Sequence, residues 1–158
     1  MALRQIRTFD DEILRKVCKP VAKVDDHIRQ LLGDMAETMY HAPNGGGLAA
    51  NQIGILRRLV VVDMGEGLFK LVNPEIVEES GEQTVIEGCL SFPGIWGRLK
   101  RPSHVVVKAL DENGKPITLD VTGDMAKCLC HEIDHLNGIV FTEKILEYVN
   151  IEEFEEQE

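Results

Sequence analysis

Apolar residues recur at helical spacing between Asp25 and about Tyr40, where Ile28, Leu31, Leu32, Met35, Ala36 and Met39 share one face. Asp25 stands at the capping position and Pro43 lies just past the end, so the pattern predicts an amphipathic helix with one buried side. A glycine-rich loop follows from Asn44 to Gly47, and beyond it the period changes. Segments of strand character run from Leu59 to Asp63, Phe69 to Val72 and Glu75 to Glu79, and Gln83 to Ile86 leads into Glu87-Gly88-Cys89-Leu90-Ser91. Val105 to Leu110 and Ile117 to Val121 flank Asp111-Glu112-Asn113-Gly114, a strong hairpin turn signal. Helical spacing returns from about Gly123 to Leu136, with Thr122 as the expected cap and Gly138 as the expected stop. A helix, a run of strands and a closing helix packed on them predict an α+β domain rather than alternating βαβ units.

The length of 158 residues suits one compact domain. No repeat or composition break divides it, so 1–150 is read as a single domain and the acidic run 151–158 as a solvated tail. Aromatics make up 5% of the chain, which leaves Leu, Ile, Val, Ala and Met to build the core. A formal net charge of −10 argues against a protein that grips nucleic acid through its phosphates. There is no apolar run of the ~18 residues that a membrane helix needs. The stretch from Ile6 to Val17 alternates charged and apolar residues, unlike a secretory signal. A soluble, intracellular protein is expected. Its four cysteines, Cys18, Cys89, Cys128 and Cys130, are then expected to be free thiols, and no C-x-x-C pair suggests a zinc ribbon.

The chemistry concentrates in the second helix. His131-Glu132-Ile133-Asp134-His135 reads H-E-x-x-H. Residues four apart share a helical face, so both imidazoles can reach one metal ion while Glu132 projects beside it. An ion held in this way acidifies a coordinated water, and the adjacent carboxylate can take its proton. The same helix carries Met125, Cys128, Leu129, Ile133 and Leu136, so it is expected to be buried. Buried charge without a partner costs several kcal/mol and needs a reason. The third ligand must lie elsewhere, because no histidine follows His135. The candidates are Cys89, Cys128, Cys130, His104 and His41. Cys128 shares the His131 face, whereas Cys89 would be presented from an opposite wall. If Cys89 and Cys128 both joined the histidines, the site would be closed and structural.

Three segments together resemble the motifs of the peptide deformylase family. They are Gly45-Gly46-Gly47-Leu48-Ala49-Ala50-Asn51-Gln52, then Glu87-Gly88-Cys89-Leu90-Ser91, then His131-Glu132-Ile133-Asp134-His135, similar to G-x-G-x-A-A-x-Q, E-G-C-L-S and H-E-x-D-H in the family's order. The resemblance implies antiparallel sheets packed around a central helix that carries the H-E-x-x-H segment. It implies Cys89, His131 and His135 as ligands of one divalent metal ion, Fe(II) in the family, although this ligand set also suits Zn, Ni or Co. Glu132 would be the general base and acid, with Gln52 and the backbone N–H of Leu90 stabilising the oxygen on which charge develops.

Gly45, Gly46, Gly47, Leu48 and Gly88 would bind the peptide, whose main chain could add as a strand. Asp134 is expected to pair with Arg101 or Arg98 and so fix the ligand helix. The implied substrates are N-formylmethionyl polypeptides met at the ribosome, and the implied enzyme is a bacterial, cytoplasmic monomer without a nucleic-acid or membrane partner. A different metal amidase built on the same motif is the alternative. The sequence departs from the commoner pattern in three places: Cys130 stands in place of Gln, Gly46 in place of a branched apolar residue, and the pair Ile95-Trp96 where some relatives carry a substrate-side arginine. Cys130 is expected to be a core or supporting residue, and Cys18 has no assigned role.

Overall fold

A computed structural model describes residues 2–43 and 45–150, so the tail expected over 151–158 lies outside the described residues. The first helix, α1 (Asp26–His41), begins where Asp25 accepts a hydrogen bond from the Ile28 N–H. Strands β1 (Gly47–Ala49), β2 (Leu59–Val62) and β3 (Phe69–Ser80) follow. Next come β4 (Gln83–Cys89), β5 (Phe92–Arg101), β6 (His104–Leu110) and β7 (Pro116–Thr122). The second helix, α2 (Gly123–Leu136), precedes a short last strand, β8 (Glu147–Tyr148). All pairings between strands are antiparallel, in a five-stranded sheet of order β1-β2-β3-β6-β7 and a three-stranded sheet of order β4-β5-β8.

The larger sheet is covered on both faces, which explains why every residue of β2 is buried. Alternation along the strand sends Leu59 and Val61 toward α1, where they meet Leu31, Leu32, Met35 and Met39. Val60 and Val62 face the other way and pack with Leu129, Ile133 and Leu136 of α2. Each fully buried Leu or Val in these layers contributes about 1.5–3 kcal/mol. A third apolar cluster, with Phe92, Leu99, Val140 and Phe141, seats the smaller sheet. Helix α2 is thereby held between elements, as the resemblance implies.

Several local expectations change. Two strands expected around Asn73-Pro74 are one, because the interruption is absorbed as a register shift between Val72 and Glu75. Asn73 sits at φ +52°, and its side chain bonds the N–H and C=O of Val21. The ten-residue strand β5 has no counterpart in the sequence reading, because Pro93, Gly94 and Gly97 break its pattern. Thr122 precedes α2 without capping it through its side chain. The hairpin turn at Asp111 is present, with its carboxylate accepting from the Asn113 and Lys115 N–H groups.

The stop at Gly138 has a definite construction. Gly138 lies at φ +75°, its N–H reaches the His135 carbonyl and the Ile139 N–H reaches that of Asp134. This is a Schellman closure, which needs a left-handed residue. A Cβ there would also stand 2.5 Å from the Arg15 carbonyl oxygen. Gly138→Ala is expected to cost about 1–3 kcal/mol, read as a lower urea midpoint. An unchanged midpoint would show that the closure does not hold the end of the ligand helix.

Candidate metal centre and active site

Helix α2 presents one face to a cleft between the two sheets. His131 and His135 project from successive turns of that face, and Cys89 arrives from the end of β4. The Cys89 Sγ and the His131 and His135 ring nitrogens all lie within 4.8 Å of one another. His135 Nε2 is 3.3 Å from both Cys89 Sγ and His131 Nε2. Three donors converging this closely would repel or compete for protons unless a cation lay between them. One soft thiolate and two imidazoles fit a divalent transition metal, and three protein ligands leave a position open for chemistry.

The ring orientations are set by outer partners. His131 Nδ1 lies 2.7 Å from Glu87 Oε1. Burial pushes the Glu87 carboxyl up, but hydrogen bonds from Arg101 and then His131 outweigh it and bring the pKa down to about 2. An ionised carboxylate only accepts, so Nδ1 donates to it and Nε2 is the nitrogen left to face a metal. Burial holds His135 well below the ordinary histidine range, so it is neutral and able to ligate. Burial also lowers His131, but Glu132, Cys89 and Glu87 outweigh it and hold that ring well above the range, so without a cation its Nε2 is protonated as well and a metal ion would take that proton's place. Arg101 bonds both oxygens of Glu87, at 2.7 and 2.9 Å, and reaches Asp134 Oδ2 at 2.7 Å. The expected pairing of Asp134 is therefore with Arg101, and Lys144 adds a second cation at 2.9 Å.

Glu132 lies beside the ligands, 4% exposed, and its Oε1 has no hydrogen-bond partner in the protein. Burial pushes its pKa up to about 7, opposed by His131 and reinforced by Glu87. A carboxyl tuned near neutrality can both take and return a proton.

Gln52 follows β1 on a 3₁₀ turn over Ala50–Ile53. Its Oε1 accepts from the Ala49 N–H at 2.9 Å, which turns Nε2 toward Ser91 Oγ at 3.0 Å and Cys89 Sγ at 3.6 Å. Leu90 occupies the two-residue turn between Cys89 and Phe92. Asn51, which the sequence reading passes over, donates to the His135 carbonyl at 2.5 Å and ties this turn to the ligand helix.

The cleft holds about 530 Å³ and is lined by Gly46, Gly47 and Gln52 on one side and Gly88, Cys89 and Leu90 on the other. Gly47 is required by close approach, since a Cβ would lie 2.7 Å from Glu132 Oε2. Leu48 differs from its neighbours: its side chain is buried in the core against α1, so only its backbone can face the cleft. Gly45 packs against the Met39 carbonyl instead of lining the cavity.

The rival ligands fall elsewhere. Cys128 Sγ is directed at the Gly46 carbonyl, 3.8 Å away, and does not join the converging set. Cys130 and Cys18 lie in the core shared by α2 and the larger sheet, and burial pushes each thiol up to about 11. His104 pairs with Asp120 and Ser80 at the surface, and His41 ends α1. All four cysteines are free.

Comparison with known proteins agrees with this architecture. The family model described as polypeptide deformylase matches residues 3–150. Peptide deformylase 2 of Clostridium acetobutylicum is 58% identical over 149 residues, covering 94% of this chain and 99% of its own length. The crystal structure of the Thermotoga maritima peptide deformylase superposes with a TM-score of 0.89 at 40% identity, over 92% of this chain and 99% of that one. The Ehrlichia chaffeensis peptide deformylase in complex with actinonin gives 0.88 at 38% identity, over 100% of this chain and 99% of that one. With the motifs, the fold and these matches in agreement along nearly its full length, the chain belongs to the polypeptide deformylase family.

Proposed function

We propose that this protein hydrolyses the N-formyl group of N-formylmethionyl polypeptides, releasing formate and a free amino terminus. One observation carries the reading: the unpartnered buried carboxylate of Glu132 stands beside three converging metal donors in a cleft between two sheet edges. A divalent ion held by Cys89, His131 and His135 would supply Lewis acidity, making a water more acidic and a carbonyl more electrophilic.

The chain's own groups supply the rest. Glu132 takes a proton from the attacking water as the new C–O bond forms at the formyl carbon. It returns that proton to the amide nitrogen as the C–N bond breaks, and its pKa near 7 suits both transfers. Gln52 Nε2 and the Leu90 N–H donate to the formyl oxygen as negative charge develops there. Strands β1 and β4 are edge strands of their sheets, and both line the cleft. An extended peptide could lie between them through main-chain bonds that ignore its sequence, as an enzyme for many nascent chains requires. Arg101 and Asp134 hold the ligand helix in place, and Gly46, Gly47 and Gly88 leave room for the peptide backbone.

The same reading makes residues 1–150 one catalytic domain, acting as a monomer with Fe(II) on chains emerging from the ribosome in a bacterial cytoplasm. The relatives named above are bacterial, and among the described residues no helix is long and apolar enough to cross a membrane. The deciding assay follows formate release from a formyl-Met tripeptide by anaerobically purified protein loaded with Fe(II) or Ni(II). Release of formate, with no cleavage of the acetyl-Met counterpart, is expected. A metal-replete protein that leaves the formyl peptide intact would sink the deformylase reading.

A further inference from the structure

The proposed activity leaves one charged residue of the cleft unused. Lys127 is the only lysine or arginine among the described residues that line the cavity. It lies on α2 one turn before His131, so it shares the face that carries the metal donors. Its side chain is 24% exposed, and its nearest carboxylate is Asp124, 3.9 Å away and 80% exposed. That contact is too long and too wet to neutralise it. Of the two carboxylates that line the cleft, Glu87 is saturated by Arg101 and His131, and Glu132 faces the metal donors. The wall around Lys127 is mostly apolar, including Met64, Ile86 and Trp96. A net charge of −10 would ordinarily repel an acidic peptide. Charges beyond a Debye length of about 8 Å are largely screened, however, so inside the cleft the local cation has the greater weight.

Position follows from chain geometry. Four helical residues advance about 6 Å, and an extended peptide advances about 3.3 Å per residue. A peptide that runs beside α2 toward the N-terminal end of that helix would bring the first or second residue after its formyl-methionine within reach of the Lys127 side chain. We propose that Lys127 is a specificity residue that favours substrates with an acidic side chain at one of these two positions. The inference rests on the deformylase reading, and it goes beyond it by assigning a charge preference to a reaction otherwise indifferent to sequence.

The test compares formyl-Met-Xaa-Ser and formyl-Met-Ala-Xaa peptides with Xaa as Glu or Gln, which differ in charge and hardly in shape. In at least one series the Glu peptide should have the higher kcat/KM, by about three- to fivefold, the scale of a half-exposed ion pair. The ratio should shrink with added salt, fall to unity in Lys127→Met and invert in Lys127→Glu. Calorimetric binding of the unformylated products, Met-Glu-Ser against Met-Gln-Ser and Met-Ala-Glu against Met-Ala-Gln, reads the same preference without turnover. Equal kcat/KM and equal product binding for Glu and Gln in both series overturn the proposal, as does a Glu preference that persists in Lys127→Met. Failure to release formate from every peptide would overturn the deformylase reading instead, and the binding ratios would still decide the role of Lys127.

Discussion

Replacing Glu132 by Ala is expected to lower kcat for formate release by about two to four orders of magnitude, the usual worth of a positioned general acid–base group. Metal content should be unchanged, because the converging donors are Cys89, His131 and His135. Stability should not suffer either. Glu132 is 4% exposed with one oxygen unpartnered, and removing a buried, poorly satisfied polar group relieves a desolvation cost. The combination separates catalysis from scaffolding: metal by mass spectrometry and the unfolding midpoint hold while the rate collapses. A variant that keeps near-parental kcat with full metal would falsify the assignment. A variant that loses its metal would make Glu132 a supporting group rather than the proton carrier.

The parts of this site that could be read from the sequence are those with a short, regular spacing. His131 and His135 are four apart on a helix, so periodicity alone puts them on one face. Cys89 is different: spacing offered Cys128 as readily, and only the resemblance separated them until the fold placed Cys89 against His135. The buried cradle was half visible. Asp134 with Arg101 could be anticipated from charge, but the bidentate grip of Arg101 on Glu87, and that of Glu87 on His131, joins β5, β4 and α2 across gaps of 14 and 44 positions. No local pattern encodes such a closure. Strand β5, which carries Arg101, was itself missed, because its glycines and Pro93 look like turn residues. Both of its glycines have a structural reason: Gly94 adopts φ +78°, and a Cβ on Gly97 would stand 2.5 Å from the Ile145 side chain. Local propensity yielded there to packing, as it did at Asn73, where side-chain bonds to Val21 allow the strand to continue through a bulge.

The closure around Arg101 carries the second large expectation. Its side chain is 2% exposed and sits between Glu87 at 3% and Asp134 at 17%. Arg101→Leu would fill much of the same volume but leave Glu87 buried without its bidentate partner. Breaking a buried pair from one side costs about 3–5 kcal/mol. Asp134 would still meet Lys144, and Glu87 would still meet His131, so the lower end of that range is expected. The consequence for function follows from the pKa of Glu87. Without Arg101 the strongest contribution holding the carboxyl ionised is gone, so its pKa must rise from about 2. The orientation of His131 then weakens, and metal affinity should fall about 10- to 100-fold, the usual cost of losing support behind a ligating histidine. Linkage gives the direction with pH. A carboxyl whose folded pKa is depressed stabilises the fold above its unfolded value of about 4.3, and that stability is lost as pH falls toward about 2. The parent should therefore lose stability steeply between about pH 5 and pH 2, and Arg101→Leu more gradually, as urea midpoints across that window would show. A variant with parental metal affinity and the same acid profile would mean that His131 is oriented by packing against Phe141, whose ring centroid is 5.7 Å away, and not by the Glu87 carboxylate.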